Sequence, residues 1–251
     1  MHQFLKFSKQ RLLKNKLFNK KQITMKKLSL LAIIMFAAFS SINAQSIFSS
    51  YSFNVEPKDQ NTVLQLYKDY FSKKENLIKG VTITLYENHF KGKDIATHEM
   101  VASGTAEAMG AAYDGKGSAA WNLFQSELSK YCKGVRAAEG KRGSSFGDTS
   151  SAIYPVQDAY FINVKDPEQY KAKFEAFWSK NTPSNTRITF GSVTTLNDEK
   201  TTHYVVKSYK DFTTKFKDDA AYNKTTTEFT NSVKDIRTLN SSTTRVLLGR
   251  W

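Results

Sequence analysis

Apolar residues recur along this chain with two different periods, and the order of those periods repeats. Tyr51, Phe53 and Val55 alternate with polar neighbours, as in a half-buried strand. Val63, Leu66, Tyr67, Tyr70 and Phe71 then fall on one face of a helix. Val81, Ile83 and Leu85 alternate again, Asn88 to Asp94 reads as a hairpin loop, and a third strand carries Thr97-His98. A second helical region is expected from Ala119, with Trp121, Phe124, Leu128, Tyr131 and Val135 spaced 3, 4, 3 and 4.

The same succession returns after residue 155. Ala159 to Val164 reads as a strand. Asp166-Pro167-Glu168-Gln169 supplies a helix N-cap with proline in the first helical position. Tyr170, Phe174, Phe177 and Trp178 share the face of the helix that follows. Ile188 to Val193 and Thr202 to Ser208 are the next two strands, a helix begins near Ala220, and Arg245 to Leu248 closes the series. Its counterpart in the first half is expected somewhere in 144–156, and the Gly- and Ser-rich stretch from Gly140 to Ser151 reads as the linker between the halves.

The two halves also share strings. Phe53-Asn54-Val55 returns as Ile162-Asn163-Val164, an offset of 109. Thr97-His98 returns as Thr202-His203, an offset of 105. Ala119-Ala120-Trp121-Asn122 and Lys133-Gly134-Val135-Arg136 match Ala220-Ala221-Tyr222-Asn223 and Lys234-Asp235-Ile236-Arg237 at 101. A repeat this long is a module rather than a solenoid unit. The fold class that follows is α+β: two tandem ferredoxin-like β-α-β-β-α-β modules, residues 45–145 and 152–251, forming a pseudo-dimeric α/β barrel. Strands apolar on both sides imply that both sheet faces are covered, with the sheets packed on each other and the helices outside.

Charge changes the picture at the N-terminus. The chain has 37 Lys and Arg against 23 Asp and Glu, a net charge of +14. Residues 1–44 hold nine of the bases and no acid, leaving 28 bases and 23 acids, or +5, for the rest. That removes the footprint of a nucleic-acid binder. Lys26-Lys27, the apolar stretch from Leu28 to Phe39 and the small residues up to Ala44 read as a secretory signal peptide over 25–44. The apolar stretch is too short to span a bilayer. Residues 1–24 read as an over-extended N-terminus, with Met25 the natural start. The expectation is an exported protein, periplasmic or secreted, without a membrane span after cleavage, and monomeric because one chain supplies both modules. Its single cysteine, Cys132, excludes an internal disulfide and reads as a small buried hydrophobe on a helix.

The duplicated β-α-β-β-α-β pattern resembles the dimeric α/β-barrel superfamily in its fused two-module form, without pointing to one family within it. Tyr209-Lys210-Asp211-Phe212 through Ala221-Tyr222 to Ile236-Arg237 is similar to the second helical half of small modules of that group. The resemblance implies either a protein without catalysis or a monooxygenase-type or haem-dependent enzyme. Fold alone does not choose between them.

Candidate chemistry is sparse. Gly110 to Lys116 fits seven positions of a phosphate-binding loop, but Gly117 stands where Ser or Thr must hold magnesium, so the stretch reads as a polar loop before a helix. Asp114-Gly115 matches the end of the Gly-x-x-Asp-Gly motif of dye-decolorising peroxidases, while Ala111 replaces its first glycine. The histidines after the leader, His89, His98 and His203, make no metal-binding spacing, so no metal is expected. His98 and His203, at equivalent points, and Trp121 and Tyr222 in the second helices are the candidate ligand-binding residues. Their expected partner is a small apolar molecule in a gap between sheet and helices. No cofactor is expected on the binding reading, and haem on the enzymatic one. Arg136 and Arg237 read as cations ending the second helices.

Overall fold

The structure is a computed structural model. It describes residues 46–92, 95–114, 117–148, 153–181, 185–196, 200–220 and 225–251. The proposed N-terminal extension and the signal peptide lie outside the described residues, as do Tyr222 and the linker positions 149–151.

Among the described residues, each half holds four strands and three α-helices. The first contains β1 (Ile47–Val55), α1 (Gln60–Phe71), β2 (Val81–Phe90), β3 (His98–Gly104), α2 (Ala106–Asp114), α3 (Ala119–Leu128) and β4 (Cys132–Gly147). The second contains β5 (Val156–Val164), α4 (Pro167–Asn181), β6 (Thr186–Leu196), β7 (His203–Tyr209), α5 (Phe212–Ala220), α6 (Thr225–Val233) and β8 (Arg237–Arg250). Short polar caps start the helices. Asp166 Oδ1 accepts the Gln169 N–H at 3.0 Å, Ser118 Oγ accepts the Trp121 N–H at 3.1 Å, and Asp211 Oδ1 accepts the Thr214 N–H at 2.7 Å.

The strands close into one antiparallel barrel in the order β1-β3-β2-β8-β5-β7-β6-β4. Within each module the order is that of a ferredoxin-like sheet. The modules are joined by β2 on β8 and by β4 on β6. The sheets therefore meet edge to edge around one lumen and do not stack as separate layers. Closure leaves no sheet edge unpaired, which is how a barrel escapes edge-to-edge aggregation. Among the described residues, no helix is long and apolar enough to cross a membrane.

Period-2 alternation divides every strand between lumen and helices. Phe53, Val55, Ile83, Leu85 and Ala102 point outward and pack with Val63, Tyr67 and Phe71 of α1, Met109 of α2 and Phe124 of α3. Ile162, Val164, Ile188, Phe190 and Val205 do the same with Tyr170, Phe174 and Trp178 of α4 and with Phe229 and Val233 of α6. Each module thus has its own aromatic core on the outside of the barrel.

Several expectations need correction. The closing strand of the first module runs from Cys132 to Gly147, so Gly140 to Gly147 is strand and not linker. The helix α3 stops at Leu128, and Tyr131 lies in the turn that follows. Val135, although in helical register with Leu128, belongs to β4, as does Arg136, and Arg237 opens β8. Neither arginine ends a helix. The offset of 101 also fails. Val55 faces Cys132 and Val164 faces Arg237, while Ser52 faces Arg136 and Phe161 faces Ser241. The equivalent of Arg136 is Ser241, at 105. Both β1–β4 and β5–β8 carry a bulge at this same point, a feature retained from the duplication. Gly110 to Asp114, read as a loop, lies in helix α2. Lys116 is outside the described residues.

Candidate functional site

The repeated Thr-His pair is a latch between strands. Thr97 Oγ1 accepts the Val55 N–H at 2.9 Å, and Thr202 Oγ1 accepts the Val164 N–H at 2.8 Å. Each hydroxyl then lies 2.9 Å from Nδ1 of the adjacent His98 or His203. A neutral ring accepting at Nδ1 satisfies this arrangement. Burial supports it by lowering the pKa of both histidines; at His98 Glu87 opposes the shift and Lys91 adds to it. His98 is 1% exposed and stacks on Phe53, and His203 stacks on Phe190. Both rings point to the helix side of the sheet.

Trp121 lies half-buried against Tyr70 and Phe124 in the first module's core. The sequence-derived set is therefore not gathered in one place. His98 and Trp121 border the outer core of the first module, His203 that of the second, and Tyr222 is outside the described residues. Haem fits this arrangement poorly, because neither histidine lines either of the two cavities that follow. Among the described residues, no group of three His, Cys, Asp or Glu side chains is placed to hold a metal ion.

The larger cavity is the barrel lumen, about 250 Å³. Its lining includes five arginines, Arg136, Arg142, Arg187, Arg245 and Arg250, and one acid, Glu99. Arg142, Arg187 and Arg250 stand toward the end of the barrel where β1 and β5 begin, and Arg136 toward the other. Sequence reasoning gave none of the five a place in a cavity; it read Arg136 as a helix-ending cation and Arg245 only as the start of the closing strand. Alternation along β3 was the available signal: if His98 faces the helices, Glu99 must face the lumen.

Arg245 and Glu99 form the centre of the lumen's polar wall. Arg245 Nη1 donates to Glu99 Oε2, and Arg245 Nε donates to Gln157 Oε1 at 3.0 Å. The guanidinium lies 4.2 Å from the centroid of the Tyr86 ring. Desolvation works to lower the Arg245 pKa, but Glu99 and Tyr86 outweigh it and the pKa is raised. Burial raises the Tyr86 pKa although Arg245 opposes it. Arg245 stays charged, and Glu99 is already matched to it. At the ends, Arg187 Nε donates to the Asp148 carbonyl at 2.7 Å and lies over the Tyr154 ring, while Arg136 lies over Phe161. Arg142 and Arg250 are exposed.

The smaller cavity, about 90 Å³, lies between the second module's sheet and its helices. Lys207 meets Asp218 there at 2.5 Å, and nearby Lys215 meets Asp219 at 2.6 Å and Asp158 at 3.4 Å. Its charges answer one another.

No protein-family model matches the sequence, and no curated protein matches it. Solved structures do match its fold. The “Putative monooxygenase” of Fusobacterium nucleatum subsp. nucleatum ATCC 25586 is 14% identical, with a TM-score of 0.58 over 82% of this chain and 94% of its own. An “anthrone oxidase-like protein” is 8% identical, with a TM-score of 0.57 over 83% of this chain and 93% of its own. A “Putative Chlorite dismutase” is 9% identical, with a TM-score of 0.52 over 81% and 95%. These likenesses, with the strand order above, establish the dimeric α/β-barrel, ferredoxin-like fold in a single duplicated chain. At such identities they carry the fold alone.

Proposed function

We propose that this protein binds a small anionic molecule in the lumen of its barrel. The observation behind the reading is the five-to-one excess of arginine over acid among the described residues of the cavity lining, with that one acid paired to Arg245. Guanidinium groups gathered around one cavity repel one another, and a bound carboxylate or phosphate relieves that cost. Arginine also meets such groups through paired N–H donors in a fixed plane. This replaces the small apolar ligand expected between sheet and helices, where the helix aromatics, Tyr67, Phe124, Tyr170, Phe174 and Trp178 among them, serve the outer cores. A monooxygenase-type or haem-dependent activity is the alternative; its support is likeness of fold.

The reading extends to location. The protein works outside the cytoplasm after loss of residues 25–44, and as a monomer, since a closed barrel leaves no edge strand to recruit a second chain. N-terminal sequencing of the protein made in its own cells, starting near Gln45, supports export; an intact Met25 terminus in the cytosol refutes it.

Titration calorimetry at low salt tests the binding claim. Benzoate and inorganic phosphate are compared with benzyl alcohol, on the natural protein and on a double variant, Arg142→Gln with Arg250→Gln. Both positions are exposed, so the variant keeps its fold. Binding of at least one anion, absent for the alcohol and weakened in the variant, is the expected result. Indifference to charge overturns it.

A further inference from the structure

The two halves of the lumen wall are related by the duplication but chemically opposed. Glu99, Tyr86 and Arg245 have Tyr204, Gly191 and Gly140 as their equivalents, each 105 residues away, and Gln157 has Phe48 at 109. One wall carries a closed polar cluster. The other carries two aromatic rings laid against two glycines. Phe48 and Tyr204 meet edge to face at 5.2 Å. A Cβ on Gly140 would stand 2.6 Å from the Phe48 ring, and one on Gly191 2.5 Å from the Tyr204 ring. No side chain other than glycine's leaves room for the rings there. Arg142 is directly opposite Gly191 across the β4–β6 pair, and Gly191 is opposite Tyr204 across β6–β7. The aromatic wall therefore has a guanidinium in its own row.

Resting on the lumen being an anion site, we infer that its ligand is an aromatic carboxylate, with its ring on the Phe48–Tyr204 wall and its acid group toward Arg142. Both rings are anchored. Phe48 is held between Gly140 and Tyr204, and the Tyr204 hydroxyl, its pKa pushed up to about 12 by burial, points to the Lys141 carbonyl at 3.5 Å. A planar acid gains ring contact and charge pairing together. A saturated acid of the same size gains the charge pairing and loses the ring contact.

Three probes separate the contributions: 2-naphthoate, decahydro-2-naphthoate and 2-naphthalenemethanol, titrated calorimetrically into the full protein. We expect 2-naphthoate to bind about tenfold more tightly than the saturated acid, a gain of about 1.4 kcal/mol, and the alcohol to bind least. Tyr204→Leu should bring the two acids together, with Phe48→Leu as the second variant if the first alters thermal unfolding. Arg142→Gln should weaken both acids about equally. If both acids bind equally and both depend on Arg142, the aromatic inference falls and the anion site stands. If neither acid binds, or the alcohol binds as well as they do, the anion reading itself falls.

Discussion

Phe146 and Trp251 occupy the same position in the two halves, and each belongs to the core of the other module. Phe146 lies on β4 opposite Ile188 and packs against Phe174 of α4. Trp251, following β8, exchanges backbone hydrogen bonds with Ile83 at 2.9 and 3.0 Å and stacks on Tyr67 and Phe71 of α1. Ile83 and Ile188 are themselves 105 residues apart, so the exchange is reciprocal. Each closing strand reaches past its own sheet to finish its neighbour's core, and the modules are interlocked rather than merely adjacent.

Trp251→Ala should therefore destabilise the protein by about 2–4 kcal/mol, somewhat less than the deletion of a fully buried large aromatic because the residue is only half-buried. Phe146→Ala should cost about 2–3 kcal/mol for the same reason. Chemical denaturation should remain a single transition in both variants. Two separate transitions would show that the modules unfold independently and would contradict the interlock.

The buried pair of Glu99 and Arg245 gives a second expectation. Each side chain is at most 10% exposed. Glu99→Gln leaves the guanidinium without a counter-charge in the lumen wall and should cost about 3–5 kcal/mol in urea unfolding. Arg245→Met should cost a similar amount by stranding the carboxylate. The double change should be milder than the two single losses added together, since it removes both charges at once. Strict additivity in that double-mutant cycle would show that the two groups do not interact.

Most of the fold was legible because duplication and alternation act on many residues at once. The six strands with a clear period were placed by Phe53-Asn54-Val55, Val81 to Leu85, Thr97-His98 and their copies, and the core faces of α1 and α4 by their aromatics. The strand β4 was missed because its sequence imitates other elements. Tyr131 and Val135 continue the helical spacing of α3, and Gly140, Gly143, Ser144 and Ser145 resemble a linker. The glycines serve close packing: Gly140 accommodates Phe48, and a Cβ on Gly143 would crowd the Phe190 carbonyl. The lumen was illegible for a different reason. Arg142, Arg187, Arg245 and Arg250 are isolated in sequence, and only the registers of β4, β6 and β8 turn them toward one space. The histidines attracted attention because they repeat, and they repeat because both modules need the same latch.

Cys132 opens β4 and is half-buried, so it is not the enclosed helical residue the sequence suggested. Burial, with Asp59 adding to it, pushes its thiol pKa up to about 12. The thiolate is the reactive form. Labelling by iodoacetamide at pH 8 should therefore be much slower than for the unfolded chain, even though part of the residue meets solvent. The rate should rise to the unfolded value in denaturant. Labelling at the free-cysteine rate in native buffer would show that the thiol is neither desolvated nor close to Asp59.

The latches make stability depend on pH in a defined direction. His98 and His203 have folded pKa values below the ordinary imidazole value, burial being the main cause in each. When pH falls below about 6.5, the unfolded chain takes up protons at these positions before the folded chain does. Their contribution is fully present above that pH and is lost as pH falls through the depressed folded pKa values. The denaturation midpoint should thus fall between pH 7.5 and 5. His98→Gln and His203→Gln should each reduce the slope over that window, and the double variant should reduce it further. His98→Gln should also lower stability at pH 7.5 by about 1–3 kcal/mol, because the contact of the buried His98 ring with Thr97 is lost. A slope unchanged in both variants would mean that the rings titrate alike in the folded and unfolded chains, and the latch would then carry no linkage to protons.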